Sequence, residues 1–169
     1  MFGKLFLRDI ALVAVVVAAW WAGWSLSVAN GPLADFLGVV LGFGAGAVAF
    51  VAHEWGHLCG AWIVGAHVAA PRRLSSAYLF SFDSKRNSQM QFLVMSLSGF
   101  AVTGLAIYVA YGLLPPEALA TRVARGLVVF SASLTLFLEV PLLTLSLLKG
   151  SILAQAEVFP VSQRSPGAS

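Results

Sequence analysis

Four long apolar stretches dominate this chain and leave one kind of fold open to it. They cover residues 10–29, 33–64, 92–114 and 126–148; the first has no charge and the last holds one acidic residue, Glu139. A helix needs about 20 apolar residues to cross the hydrocarbon core of a bilayer, and each stretch is long enough. With 59% hydrophobic and 10% charged residues over 169 positions, the chain lacks the charge to cover a soluble surface. The expectation is an all-α integral membrane protein with about four transmembrane helices, embedded in the lipid bilayer as a single domain over residues 1–150.

Turn signals separate the spans: Asn30-Gly31-Pro32, Pro71-Arg72-Arg73 and Pro115-Pro116. The 66–91 connection is the longest polar segment, and its 77–82 run predicts a strand or a membrane-skimming hairpin. Residues 151–169, rich in Ser, Pro and Gly, read as a mobile cytoplasmic tail. Lys4 and Arg8 before the first span resemble the basic end of a signal peptide, but the apolar run is long for a signal and reads as an uncleaved anchor. Basic residues gather before span one, in the 66–91 connection and after span four, whereas the 30–32 link is followed only by Asp35. Positive-inside counting therefore puts both termini and the 66–91 connection in the cytoplasm, against the dissent of Arg122 and Arg125. Such juxtamembrane charge is expected of a membrane protein, and no nucleic-acid partner is inferred from it. One cysteine, Cys59, excludes an internal disulfide and reads as a small buried residue. Gly38, Gly42 and Gly46 recur every four residues in span two, and Gly56 with Gly60 repeats the interval, which lets helix backbones approach closely in lipid.

The chemistry lies in His53-Glu54-Trp55-Gly56-His57. On a helix, residues four apart share a face, so both imidazoles reach one metal ion, and Glu54 is placed to take a proton from water there. Ionisable side chains within a span cost several kcal/mol unless paired, so such residues are functional by default. Several candidates for a third ligand fail on position. Ile63 stands where an extended HExxHxxGxxH motif needs histidine, His67 lies past the helix end, and Asp83 belongs to the basic connection. Glu139 has the right depth. At 1.5 Å per residue, His57 lies about 12 Å, His53 about 18 Å and Glu139 about 15 Å from the same membrane face. Pro141 should kink the helix beside it and free carbonyls that line a polar cavity. The alternative is that Glu139 simply pairs with a polar neighbour.

With these residues in place the chain resembles the site-2 protease family of intramembrane zinc metalloproteases. That resemblance implies a three-helix core formed by spans two to four, with HEWGH on the first core helix. The 96–103 segment, Ser-Leu-Ser-Gly-Phe-Ala-Val-Thr, is similar to the family's second-helix motif; Phe100 replaces the usual proline and Thr103 the usual asparagine. On span four the family's Asp-Gly pair is missing: the chain reads Leu138-Glu139-Val140-Pro141 and ends Lys149-Gly150. Either Glu139 replaces the aspartate or the site is incomplete. The resemblance implies one Zn2+ held by His53, His57 and Glu139, Glu54 as catalytic base, and Gly99 and Thr103 as residues positioning substrate. It also implies membrane-protein substrates cut near the cytoplasmic face, in a bacterial inner membrane, with or without partner subunits. A non-catalytic membrane subunit of the same fold is the rival expectation, and a transporter using Glu139 is another.

Overall fold

The computed structural model describes residues 1–71, 73–76 and 78–152; the tail from 153 onward and Ala77 of the expected strand lie outside them. The protein is an all-α integral membrane protein with four helices long and apolar enough to cross a membrane. Helix α1 covers Phe2–Ser27 and α2 covers Pro32–Ile63. Helix α3, Gln89–Tyr108, continues through a π-helical turn at Val109–Leu113. The fourth span joins α4, Leu119–Leu134, through a second π turn at Thr135–Glu139, to α5, Val140–Lys149.

Local signals set the helix ends. Pro32 occupies the first turn of α2, where its missing N–H costs nothing, and Asp35 complements the positive end of the helix dipole. The exit of α2 is a Schellman turn: Gly65 adopts φ +63°, the Ala66 N–H reaches the Ala61 carbonyl at 2.8 Å and the Gly65 N–H reaches Trp62 at 3.0 Å. Ser88 and Gln91 form a reciprocal capping box at the start of α3. Gly150, with φ +68°, closes α5 as Gly65 closes α2, so Lys149-Gly150 is a helix terminus.

Helix α2 is the central element and packs against α1, α3 and α4. Gly38, Gly42 and Gly46 face Leu119, Val123 and Leu127 of α4, whereas Gly56 and Gly60 face Ser98 and Val102 of α3. The ten residues from Gly46 to Gly56 turn the second pair about 80° round the axis, which is why one helix meets two neighbours with two glycine faces. At Gly42 an added Cβ would stand 2.5 Å from Val123 Cβ and 2.7 Å from the Ala120 carbonyl oxygen, so the backbone approach depends on the absent side chain.

The 64–88 connection folds back into one end of the bundle. Its strands β1, Val68–Ala69, and β2, Ser81–Phe82, pair antiparallel with Val68 opposite Phe82. Phe82 then packs with Ala61, Phe92, Met95 and Leu143, and Leu79 packs with Leu5 and Leu58. These two small cores bind the connection to all four spans.

Three expectations change. The helix of the first span starts at Phe2 and takes in Arg8 and Asp9, which pair with each other and with Trp55 and the Ser76 carbonyl. The fourth starts at Leu119 and takes in Arg122 and Arg125. The Arg125 side chain donates to the Ala110 carbonyl at 2.8 Å and the Leu114 carbonyl at 3.1 Å and lies over the Tyr111 ring, so its charge is spent on the end of the third span. Cys59 is exposed, on a face of α2 that in a bilayer meets lipid instead of protein.

Candidate metal centre

Three spans build a common point. His53 and His57, one helical turn apart on α2, present their Nε2 atoms 3.0 Å from each other. Glu139, at the end of the π turn in the fourth span, places Oε1 3.3 Å from His53 Nε2 and Oε2 3.2 Å from His57 Nε2. Pro141 lies two residues beyond and has no N–H to give the preceding turn. The relief takes the form of the wide turn over Thr135–Glu139, with the Thr135 hydroxyl 3.4 Å from Glu139 Oε1. An extra residue in one turn rotates the rest of the helix by roughly 100°, so the π turn contributes to where Glu139 points.

The third span sets the rings. The Nδ1–H of His53 donates to the Gly99 carbonyl at 3.1 Å and to the Thr103 hydroxyl at 2.8 Å; the Nδ1–H of His57 donates to the Met95 carbonyl at 3.0 Å. A carbonyl can only accept, so each ring carries its proton on Nδ1, and each Nε2 in the neutral ring is a lone pair. Gly99 serves in a second way, since a Cβ there would overlap the His57 ring. Gly99 and Thr103, expected to position substrate, thus make their contacts with the two histidines.

The result is a cluster of acceptors. With both rings neutral, two imidazole lone pairs and a carboxylate converge, in a place where His53 is 8% exposed and the His57 side chain 12%. A proton on either Nε2 or a metal ion satisfies them equally. Two ligands about 2.05 Å from a tetrahedral ion stand about 3.3 Å apart. The two Nε2 atoms are 3.0 Å apart and each meets its own oxygen of Glu139, at 3.3 and 3.2 Å, while one atom from each of the three residues lies within 4.8 Å of the others. Among the described residues these three form the group of histidine, cysteine and acidic side chains able to hold a metal. His67 lies elsewhere, its backbone N–H bound to Asn87, and Asp83 caps the turn at Lys85 and Arg86.

Glu54 is buried beside the cluster and accepts a hydrogen bond from the Leu79 backbone N–H at 3.3 Å. It shares a cavity of about 320 Å³ with His53, His57 and Glu139. Phe50, Tyr78, Phe80, Phe82, Phe92 and Met95 supply much of the cavity's apolar wall. No protein-family model, curated protein or solved structure matches the chain. What can be said of function therefore rests on this geometry.

Sequence reasoning missed a second polar constellation next to the first. Asp9 of α1 is 3% exposed and accepts from Trp55 Nε1 at 2.9 Å and from Arg8 Nε at 2.6 Å. Arg8 in turn reaches the Leu74 carbonyl, and the Ser76 carbonyl at 2.9 Å. The available signal was an acidic residue beside an arginine at the head of an apolar run; its partners, 46 and 66 or more positions away, were not legible.

Proposed function

We propose that the protein is an intramembrane zinc metalloprotease similar in design to the site-2 proteases, cleaving transmembrane or membrane-proximal segments of other proteins. One observation carries this reading: two Nε2 atoms and the Glu139 carboxylate converge at a cavity that the Glu54 carboxylate also lines. His53, His57 and Glu139 would hold the ion, leaving a fourth position for water or substrate. A bound zinc ion supplies Lewis acidity toward water and toward a peptide carbonyl. Imidazole and carboxylate donors suit zinc.

The remaining work belongs to the chain's own groups. Glu54 takes a proton from the attacking water and returns it to the leaving amine, which requires a carboxylate held near the metal without being a ligand. The Leu79 N–H holds one of its oxygens and fixes its direction. Gly99, Thr103 and Met95 keep both imidazoles in the tautomer that turns Nε2 inward. The aromatic wall offers apolar contact to a substrate segment. Depth agrees with this use. His57 lies about 9 Å, and His53 and Glu139 about 15 Å, from the helix ends at Ile63 and Lys149, within reach of water from that end of the bundle. The distribution of basic residues supports assigning that end to the cytoplasm, with both termini on the same side. A bacterial inner membrane is the setting we infer from the resemblance.

Replacing Glu54 by glutamine tests the reading. In protein reconstituted with candidate membrane substrates, E54Q should lose cleavage by at least about 100-fold and retain zinc, since the carboxylate is the base and not a ligand. A wild type that binds zinc yet supports its biological role no better than E54Q would instead identify a scaffold subunit.

A further inference from the structure

Asp9 is the buried ionisable group for which the proposed chemistry has no use. A carboxylate at 3% exposure in an apolar span is costly unless its lone pairs are occupied, and both oxygens are: Oδ1 by Arg8 Nε at 2.6 Å, Oδ2 by Trp55 Nε1 at 2.9 Å. The elements that these bonds connect are informative. Trp55 is the residue after Glu54 on α2. The Arg8 guanidinium extends from Asp9 to the carbonyls of Leu74 and Ser76. Three residues further along that segment, the Leu79 N–H is the hydrogen-bond donor to Glu54, while the Leu79 side chain is buried against Leu5 and Leu58. One end of α1 therefore grips the two elements between which the Glu54 carboxylate is held, its own helix turn and the segment that carries its donor.

We propose that Arg8 and Asp9 are positioning residues for Glu54, acting through Leu74, Ser76, Leu79 and Trp55, which makes α1 part of the active site's support. The proposal rests on the reading of Glu54 as the base, but the contact it explains exists independently of metal. The hydrogen bonds of Arg8 and Asp9 go to each other, to Trp55 and to the Leu74 and Ser76 carbonyls, not to His53, His57 or Glu139. Their effect is on where the Glu54 carboxylate lies: with the grip on Leu74 and Ser76 released, the Leu79 N–H leaves Glu54 and the carboxylate turns toward whatever donor remains. A guanidinium bound at once to a carboxylate and to two carbonyls needs the planar fork of arginine, so lysine should replace it only in part.

The test uses full-length, zinc-loaded protein in lipid nanodiscs as wild type, R8K, R8Q and D9N. Amide hydrogen exchange is followed at Leu79 and across α2 and α3. Affinity for benzohydroxamic acid, a zinc chelator that gives up its O–H proton on binding and is favoured by a carboxylate placed to take it, reports on Glu54. R8Q and D9N should speed exchange at Leu79 by about tenfold or more, the weight of a charge-assisted hydrogen bond, with α2 and α3 unchanged and zinc retained. Hydroxamate affinity should fall in the same variants toward the value for E54Q, and R8K should lie between R8Q and wild type. Unchanged exchange at Leu79 would overturn the proposal. So would faster exchange with undiminished hydroxamate affinity, which would make the grip structural only. A wild type without zinc would contradict the metal centre, and the exchange comparison would still decide whether the grip on Leu79 exists.

Discussion

Replacing Gly99 by alanine should disable the proposed metal centre while leaving its ligands in the sequence. A Cβ built at Gly99 overlaps three atoms of the His57 ring, Cε1, Nδ1 and Nε2. Carbon atoms in contact prefer about 3.5–4.0 Å, so the ring must retreat by roughly 1 Å or more. It cannot do so freely, because its Nδ1–H is bound to the Met95 carbonyl of the same helix α3 and Phe100 packs edge-on against it. Moving the ring breaks that hydrogen bond and carries Nε2 away from His53 and Glu139. Loss of an orienting contact alone costs about 10–100-fold in metal affinity, and here a ligand is displaced as well, so a loss of at least about 100-fold is expected. The overpacking itself should cost about 1–3 kcal/mol of stability. Gly104, on the same helix, is the matched control: nothing lies within 4 Å of an added Cβ, and alanine is the better helix former by about 1 kcal/mol. Competition titration against a chromophoric zinc chelator, with thermal unfolding in parallel, reads both effects. Zinc affinity of G99A within about threefold of wild type, well short of the loss that a displaced ligand brings, would refute the assignment of Gly99 as the space for His57.

Two further substitutions probe the supports of the site. T103V removes the hydroxyl 2.8 Å from His53 Nδ1 while the Gly99 carbonyl remains, so zinc affinity should fall by about tenfold; T103S should restore it in the same titration. G46A places a Cβ 2.6–2.7 Å from Leu127 and should destabilise the α2–α4 contact by about 1–3 kcal/mol in equilibrium unfolding from mixed micelles; a neutral result would mean these helices tolerate separation.

The parts of the fold that depend on local or periodic information were visible in the chain. Hydropathy revealed four spans, the four-residue glycine interval revealed close helix contacts, and rise per residue put Glu139 in one layer with His53 and His57. Long-range pairing escaped. The apolar runs begin at Ile10 and Gly126, leaving Asp9 and Arg125 outside, yet each lies inside a helix and its partner comes from another segment: Trp55 for Asp9, the Ala110 and Leu114 carbonyls for Arg125. Cys59 was misread by a soluble-protein habit, since in a membrane protein an exposed helix face is apolar and cysteine suits it. Gly99 and Thr103 stood out as a motif, but only the packing of α3 on α2 reveals that they meet the histidine rings. Glu139 drew attention by depth, whereas its inward direction involves a π turn that no sequence period announces.

We propose that His53, His57 and Glu139 together bind one zinc ion. Zinc stoichiometry and zinc-edge X-ray absorption on the purified protein test it most directly, with H57A and E139A measured alongside. One zinc per chain is expected, four-coordinate with two imidazole nitrogens and light oxygen donors at about 2.0–2.2 Å, and lost in both variants. Wild-type protein without zinc, or full zinc content in E139A, would contradict it.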